Sequence, residues 1–369
     1  MTRVELIALP GLPEVEAGDD LAALITQAVD QSDGVQLTDG DILAISSKIV
    51  AKSENRYAPG GSADLQSTAV AAETVRVVAA RTTPRGGARI VESRSGPVLA
   101  AAGVDASNVP PGPDGAARVL LLPADPDASA RRLRASLIAL TGRRLGVLLT
   151  DTLGRPWRTG QTDTAIGAAG VRPAEDLSGH LDTQGRPMEV TLRALADELA
   201  GAADLVKGKT AGVPVAIVRG LGHLVTADDG PGAAALLRPA GEDWFRYGHA
   251  EAARAALGLT PEALSSKGLP PQSVVAGTLT DRLQRAVTVA QLAPAPRCPG
   301  ALVTVAEDAV RLRPPADADP PALLALGALA QRIVVAAWAE DVALTLEPDG
   351  DGVTLTTLAE LGPDSGPRP

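Results

Sequence analysis

The sequence predicts an α/β (α+β) protein built in two parts, on three observations. Across the first 250 residues, apolar runs of strand length alternate with stretches whose apolar residues recur at helical spacing. The chain has 369 residues, 45% of them hydrophobic, which is enough for more than one core. Beyond about Ala250 prolines crowd into Pro270-Pro271, residues 294–299 and residues 314–321, and this marks a change of domain. Residues 1–250 are expected to form one domain and residues 251–369 a small C-terminal α/β domain, with a disordered tail from about Gly362.

Residues 4–8 are a short apolar run closed by Pro10-Gly11, a buried strand and its turn. Asp19 and Asp20 precede Leu21, Leu24, Ile25, Ala28 and Val29, which is helical spacing behind an acidic N-terminus. Residues 41–46 read as a second strand running into Ser47-Lys48-Ile49-Val50-Ala51-Lys52, the start of a helix. An alanine-rich helical pattern spans residues 62–80, followed by strand-like residues 90–92, 97–101 and 119–122. Asp125-Pro126-Asp127 opens a helix through Leu133, Leu137 and Leu140 that Gly142 stops. Residues 145–149 are a fully apolar strand that empties into a polar loop over residues 150–163. Leu192, Leu195, Leu199, Ala202 and Val206 mark another helix, and residues 213–218 a strand turned by Arg219-Gly220. In the C-terminal part, residues 323–346 hold one apolar helix through Leu326, Ala330, Ile333, Val334 and Ala337. These patterns give the class without the strand order.

Lys and Arg number 34 against 44 Asp and Glu, and the net charge of -10 repels nucleic-acid phosphates and anionic lipid. The aromatics Tyr57, Trp157, Trp244, Phe245, Tyr247 and Trp338 are too scattered to stack unpaired bases. With one cysteine, Cys298, and only His180, His223 and His249, neither a disulfide framework nor a thiolate or histidine-rich metal centre is expected, so any metal is held by oxygens. No apolar run approaches the roughly 18 residues of a membrane helix, and Met1 leads into a strand rather than a signal sequence. The expectation is a cytoplasmic protein with no nucleic-acid and no membrane partner.

The chemistry gathers in three segments. In residues 150–163, at the end of a buried strand where α/β proteins place ligands, Asp151 and Thr152 offer a carboxylate and a hydroxyl or carbonyl to a hard divalent cation. Arg155 and Arg158 offer forked cations to phosphate or carboxylate. The interleaved Gly154, Pro156, Trp157 and Gly160 read as a shaped loop rather than a plain solvated turn. A second isolated carboxylate, Asp105, stands beside Ser107 and Asn108 and alone is an Asx turn. Together with Asp151 it supplies what one Mg²⁺ or Mn²⁺ requires: two carboxylates, neutral oxygens and open positions for phosphates. Ser46-Ser47-Lys48 with Lys52 suits phosphate, although a basic helix start explains it equally. Neither Gly-x-x-x-x-Gly-Lys-Ser/Thr nor Gly-x-Gly-x-x-Gly occurs, so any nucleotide is held by other means.

Four blocks stand in register: Leu12-Pro13-Glu14; Gly40-Asp41-Ile42-Leu43 with Ser46-Ser47-Lys48-Ile49-Val50-Ala51-Lys52; Ala101-Ala102-Gly103-Val104-Asp105-Ala106-Ser107-Asn108; and Thr150-Asp151-Thr152-Leu153-Gly154-Arg155-Pro156-Trp157-Arg158-Thr159-Gly160-Gln161-Thr162-Asp163-Thr164-Ala165-Ile166-Gly167. Through them residues 1–250 resemble the coenzyme F420-0:L-glutamate ligases. The resemblance implies the F420 gamma-glutamyl ligase-like fold, a homodimer, and a GTP-dependent enzyme that joins L-glutamate to the lactyl carboxylate of the F420-0 precursor and then extends the tail by gamma linkage. It implies that Asp105, Asp151 and Thr152 bind divalent metal, Mg²⁺ or Mn²⁺, with K⁺ as a further cation. It also implies that Leu12, Pro13, Glu14, Val15, Ser47, Lys52 and Asn108 hold GTP, and that an acyl phosphate forms with Lys52, Arg155 and Arg158 around the transferring phosphoryl group. In archaeal relatives a glutamine in the loop before the last ligase strand completes the site; here Lys209 of Lys207-Gly208-Lys209 stands there and can meet a phosphate.

In fused actinobacterial members the second domain resembles flavin-dependent nitroreductases. Residues 251–369 are shorter and lack an arginine-rich opening stretch, although residues 326–346 are similar to a nitroreductase core helix, so a flavin-free remnant is expected. Two alternatives stay open: a bifunctional ligase and FMN-dependent dehydro-F420-0 reductase, and a non-catalytic GTP-binding relative.

Overall fold

The computed structural model describes residues 3–83, 86–112, 114–239, 249–259, 264, 278–294, 297–340 and 342–358. Trp244, Phe245, Tyr247, the Pro270-Pro271 pair, the tail from Gly362 and the stretch just before the expected boundary at Ala250 lie outside the described residues. The chain divides into two compact units, Met1–Val75 with Glu92–Glu242, and Arg76–Val91 with Asp243–Pro369.

Along the first 220 residues the elements run β1 (Glu5–Leu9), α1 (Leu21–Gln31), β2 (Ile42–Ser46), α2 (Ser47–Ser53), β3 (Tyr57–Pro59), α3 (Ala63–Glu73), β4 (Thr74–Thr83), β5 (Gly86–Ser93), β6 (Val98–Ala100), β7 (Arg118–Leu120), α4 (Pro126–Thr141), β8 (Gly146–Arg155), β9 (Arg158–Ala169), β10 (Glu175–Asp176), β11 (Leu192–Arg193), α5 (Leu195–Lys207) and β12 (Val215–Arg219). The central sheet of the first unit has the order β1-β12-β2-β8-β9, in which only β2 and β8 run parallel. Strand alternation sorts its side chains into two cores. Leu43, Ile45, Val147, Leu149, Val215 and Ile217 pack with Ile25 of α1 and Leu137 of α4. Ile42, Ala44, Leu148, Ala216 and Val218 pack on the other side with Leu195, Leu199 and Ala203 of α5. A strand covered on both faces must be apolar throughout, which is why these segments stand out in the sequence.

The helix ends follow their caps. Asp20 accepts the N–H groups of Ala22 and Ala23 at α1, while α4 begins at Pro126 behind Asp125 and ends at Gly142 in the left-handed region. Three expectations are corrected. The helix expected over residues 62–80 ends at Glu73, and Thr74-Val75-Arg76-Val77-Val78 enters β4, because four branched side chains in five residues favour a pleated strand over a helix. The expected loop over residues 150–163 is instead a long hairpin: β8 has 10 residues, β9 has 12, and the register shifts at Leu149/Thr150 and Gly154/Arg155. Leu192 belongs to β11, so the helix that follows starts only at Leu195.

The second unit contains α6 (His249–Ala256), α7 (Leu279–Leu292), β13 (Leu302–Val305), β14 (Ala309–Arg313), α8 (Pro320–Trp338), β15 (Leu344–Asp349) and β16 (Gly352–Thr357). Its antiparallel sheet, ordered β13-β14-β16-β15, contributes Val310, Leu312 and Leu355 to a core filled by Leu283 and Val287 of α7 and by Leu326, Leu329 and Ile333 of α8. The helix expected within residues 323–346 ends at Trp338, and Leu344 already starts a strand. A further correction concerns length: α8, with 19 residues and a mean hydropathy of 1.6, is by composition long and apolar enough to cross a membrane. Its Leu326, Leu329, Ala330 and Ile333, at helical spacing, are core residues of this unit.

Candidate active site

The parallel pairing of β2 with β8 ends at Ser46 opposite Thr150, where β2 stops and β8 runs on. Helix α2 starts at the next residue, so Lys48 and Lys52, one turn apart, leave the same helix face. Lys48 pairs with Asp105 Oδ2 at 2.6 Å and donates to the Ser107 carbonyl at 2.9 Å and hydroxyl at 3.1 Å. Lys52, almost fully buried, donates to the exposed carboxylate of Glu14. One short helix thus ties the loop of Leu12, Pro13, Glu14 and Val15 and the turn of Asp105 to the end of β2.

Asp105 is fixed from several sides. Its backbone exchanges hydrogen bonds of 2.9 and 2.8 Å with Leu120 at the end of β7, and its carboxylate accepts the Ser107 N–H at 2.7 Å and hydroxyl at 2.9 Å. The approach is tightly turned: Ala101, Ala102 and Gly103 all have positive φ, and a Cβ on Gly103 would lie 2.6 Å from Leu122. Burial pushes the Asp105 carboxyl up, but the bonds from Lys48 and Ser107 outweigh it and hold the group below its ordinary value.

Strand β9 brings a third carboxylate, Asp163, opposite Thr152 on β8. Asp163 Oδ2 accepts the Thr150 hydroxyl at 2.9 Å and the buried Lys207 ammonium at 2.6 Å; Lys207 also donates to the Thr150 hydroxyl at 2.7 Å. Asp163 Oδ1 accepts the Thr152 hydroxyl at 2.7 Å and Lys209 at 3.0 Å, and Lys209 donates in addition to the Thr152 hydroxyl oxygen and lies 3.3 Å from Asp204. Although burial raises it, Asp163 is held well below the usual carboxylate range by the charge of Lys207. Asp151 behaves in the opposite way. Burial pushes its carboxyl up to about 6, helped by the negative charges of Asp163 and Asp105 and opposed by the Thr152 N–H and Lys48. The charges of Asp105 and Asp151 therefore act on one another.

Asp151, half-buried and under the negative charges of Asp163 and Asp105, is short of positive charge, and on that ground a hard cation held by Asp105 and Asp151 would fit the donor chemistry. Among the described residues no three Asp, Glu, His or Cys side chains converge to hold a metal unaided. Phosphate and water oxygens would have to complete its shell, as is usual for Mg²⁺.

The remaining expected residues divide. Val15 and Ser47 are buried, Leu12 packs against the core, Pro13 is exposed, and Asn108 is exposed with φ 54°, in the left-handed region. Arg155 and Arg158 face each other at the tip of the β8–β9 hairpin, flanking the exposed Trp157, and Arg155 bonds the Thr159 carbonyl at 3.3 Å. At about 3.3 Å per residue, Arg155 starts about 13 Å along the strand from Asp151, so the hairpin carries both arginines away from the carboxylates. The sequence reading offered Lys48 to phosphate without its pairing to Asp105, and gave Asp163 and Lys207 no role in the site. Lys48 and Asp163 lay inside the motifs already singled out, whereas nothing local signals that Lys207 is buried.

Residues 11–220 match the sequence model of the family described as F420-0:Gamma-glutamyl ligase. The chain belongs to this family. Coenzyme F420:L-glutamate ligase of Methanothermobacter thermautotrophicus is 41% identical over 258 residues, covering 66% of this chain and 99% of that protein. The proteins of that name from Methanopyrus kandleri and Archaeoglobus fulgidus are 40% and 38% identical, over 66% and 59% of this chain and 97% and 88% of their own lengths. Membership makes the chain a ligase with the mixed α and β architecture described above, as the resemblance implied.

Proposed function

We propose that this ligase adds L-glutamate to coenzyme F420-0, at the lactyl carboxylate and then by gamma linkage, with GTP as co-substrate. One observation carries the proposal. In a chain 41% identical to a coenzyme F420:L-glutamate ligase, Lys48 binds Asp105, Lys52 binds Glu14, and the charges of Asp105 and Lys48 act on Asp151, next to the last residue pair of the parallel strands. A carboxylate is a poor electrophile at neutral pH. One of its oxygens would attack the γ-phosphorus of GTP and expel GDP, and the glutamate amine would then attack the acyl carbon and release inorganic phosphate. Both steps call for positioning and charge neutralisation. Asp105 and Asp151 would hold Mg²⁺ or Mn²⁺, which supplies positive charge to the triphosphate; K⁺ is a further cation of the proposal. Leu12, Pro13, Glu14, Val15, Ser47, Lys52 and Asn108 would line the nucleotide, with Lys48 and Lys209 adding ammonium groups beside the carboxylates. Arg155 and Arg158 stand at the tip of the hairpin, with Arg155 about 13 Å along the strand from Asp151, and the proposal gives them no part in the phosphoryl-transfer step.

The proposal extends to a cytoplasmic homodimer and to a second unit that binds no flavin. Incubation with GTP, Mn²⁺, L-glutamate and F420-0, followed by mass spectrometry, tests it. The expected products are F420-0 carrying added glutamyl residues, together with GDP and phosphate. GTP consumption without a glutamyl adduct, or no reaction at all, refutes it. A flavin absorbance band in the purified protein would instead favour the bifunctional alternative.

A further inference from the structure

The resemblance assigns Thr152 to the metal, yet its side chain is already engaged in this structure. The Thr152 hydroxyl hydrogen goes to Asp163, 2.7 Å away, and its oxygen accepts Lys209. Asp163 is saturated as well, with Lys207 and Thr150 on one oxygen and Lys209 and Thr152 on the other. Lys209 is held at three points, by Thr152, Asp163 and Asp204. Four carboxylates, Asp105, Asp151, Asp163 and Asp204, stand against three ammonium groups, Lys48, Lys207 and Lys209, and both Asp163 and Asp204 are partners of Lys209. A divalent ion seated on the Thr152 hydroxyl would meet the Lys209 ammonium at contact distance, where like charges repel strongly.

We propose that Lys209 is the resident cation of Thr152 and Asp163, a positioning residue that confines the divalent ion to Asp105 and Asp151 and weakens its binding until a nucleotide brings negative charge. The proposal rests on the reading that Asp105 and Asp151 hold a cation. Its consequence is an order of events: the metal enters with the triphosphate rather than ahead of it.

The test is Mn²⁺ binding to the full chain without nucleotide, followed by the electron paramagnetic resonance of free Mn²⁺, in the parent protein and in Lys209→Gln, Thr152→Val, the double variant and Asp151→Asn. Lys209 is largely exposed, and unchanged melting temperatures check that the variants fold. Removing the ammonium is expected to tighten Mn²⁺ binding about tenfold or more. Thr152→Val should leave the parent affinity unchanged and abolish the gain in the Gln background. Mn²⁺ binding unaltered or weakened in Lys209→Gln overturns the proposal, as does a Thr152→Val loss in the parent as large as that of Asp151→Asn. In either of those cases, Mn²⁺ binding that Asp151→Asn removes keeps the carboxylate site itself. Binding to none of the forms overturns both.

Discussion

Asp151→Asn should stabilise the metal-free protein while abolishing its chemistry. In the folded chain the Asp151 carboxyl is pushed up to about 6, against an ordinary value of 3.8, by loss of solvation and by the negative charges of Asp163 and Asp105. At 1.36 kcal/mol per tenfold change in proton affinity, ionising it in place costs about 3 kcal/mol more than ionising it in the unfolded chain. The sign follows from proton counts. Between about pH 4 and 6 the folded state holds more protons than the unfolded state, so stability falls as pH rises through that window, and the full cost is present above it. Asparagine keeps the shape and can still accept the Thr152 N–H, but carries no charge. Its buried amide takes back part of the gain, leaving about 1–3 kcal/mol at pH 8, or roughly 3–10 °C in the melting transition of a unit this size. Calorimetry on chelator-treated protein at pH 8 and pH 4.5 measures this, with the gain expected at pH 8 and largely absent at pH 4.5. Glutamyl transfer should fall on the order of 10²-fold or more. A variant that melts below the parent at pH 8, or one equally stabilised at both pH values, would refute the account of Asp151.

Three further perturbations separate support from chemistry. Lys207→Met leaves Asp163 as a buried, partly uncompensated charge and should cost about 3–5 kcal/mol by denaturant titration, whereas Lys207→Met with Asp163→Leu should cost less than either change predicts alone. Gly103→Ala puts a side chain where φ is +73° and Leu122 is 2.6 Å away; a loss of about 1–3 kcal/mol is expected, with about a tenfold fall in turnover as Asp105 is displaced. Replacing Arg155 and Arg158 together by alanine should change stability by no more than about 0.5 kcal/mol, because both sit at an exposed hairpin tip, and Mn²⁺ affinity should not move.

What the sequence disclosed, and what it hid, follows from where each interaction is local. Strands β2 and β8 were legible because burial on both faces makes Ile42, Leu43, Ala44 and Ile45, and Val147, Leu148 and Leu149, continuous apolar runs. Helix α4 was legible because Asp125-Pro126 and Gly142 mark its two ends. Beyond Leu149 the hairpin leaves the core, its residues turn polar, and a polar strand has the composition of a loop. Over residues 62–80 alanine content concealed the onset of a β-branched strand at Thr74. The candidate site divides on the same principle. Asp105, Asp151, Ser47 and Lys52 were reachable through motifs within single segments. The partners that set their charge were not, because Lys207 reaches Asp163 across 44 residues and Lys48 reaches Ser107 across 59.

Asp151 and Asp163 make the point most directly. They lie in one motif, on two arms of one hairpin, with threonines on both sides of each pair of positions, and nothing in their order distinguishes them. In the folded chain one is raised to about 6 and the other is held below the ordinary range. The bulge between Leu149 and Thr150 and the fold of α5 deliver Lys207 and Lys209 to Asp163, so that carboxylate is spent on structure. Asp151 feels Lys48 only as a charge that opposes, without cancelling, burial and the charges of Asp163 and Asp105, and is left short of the positive charge that a cation would supply. The division of labour between two identical side chains is therefore a tertiary property, and it makes Asp151, rather than Asp163, the residue whose loss should gain stability and end catalysis together.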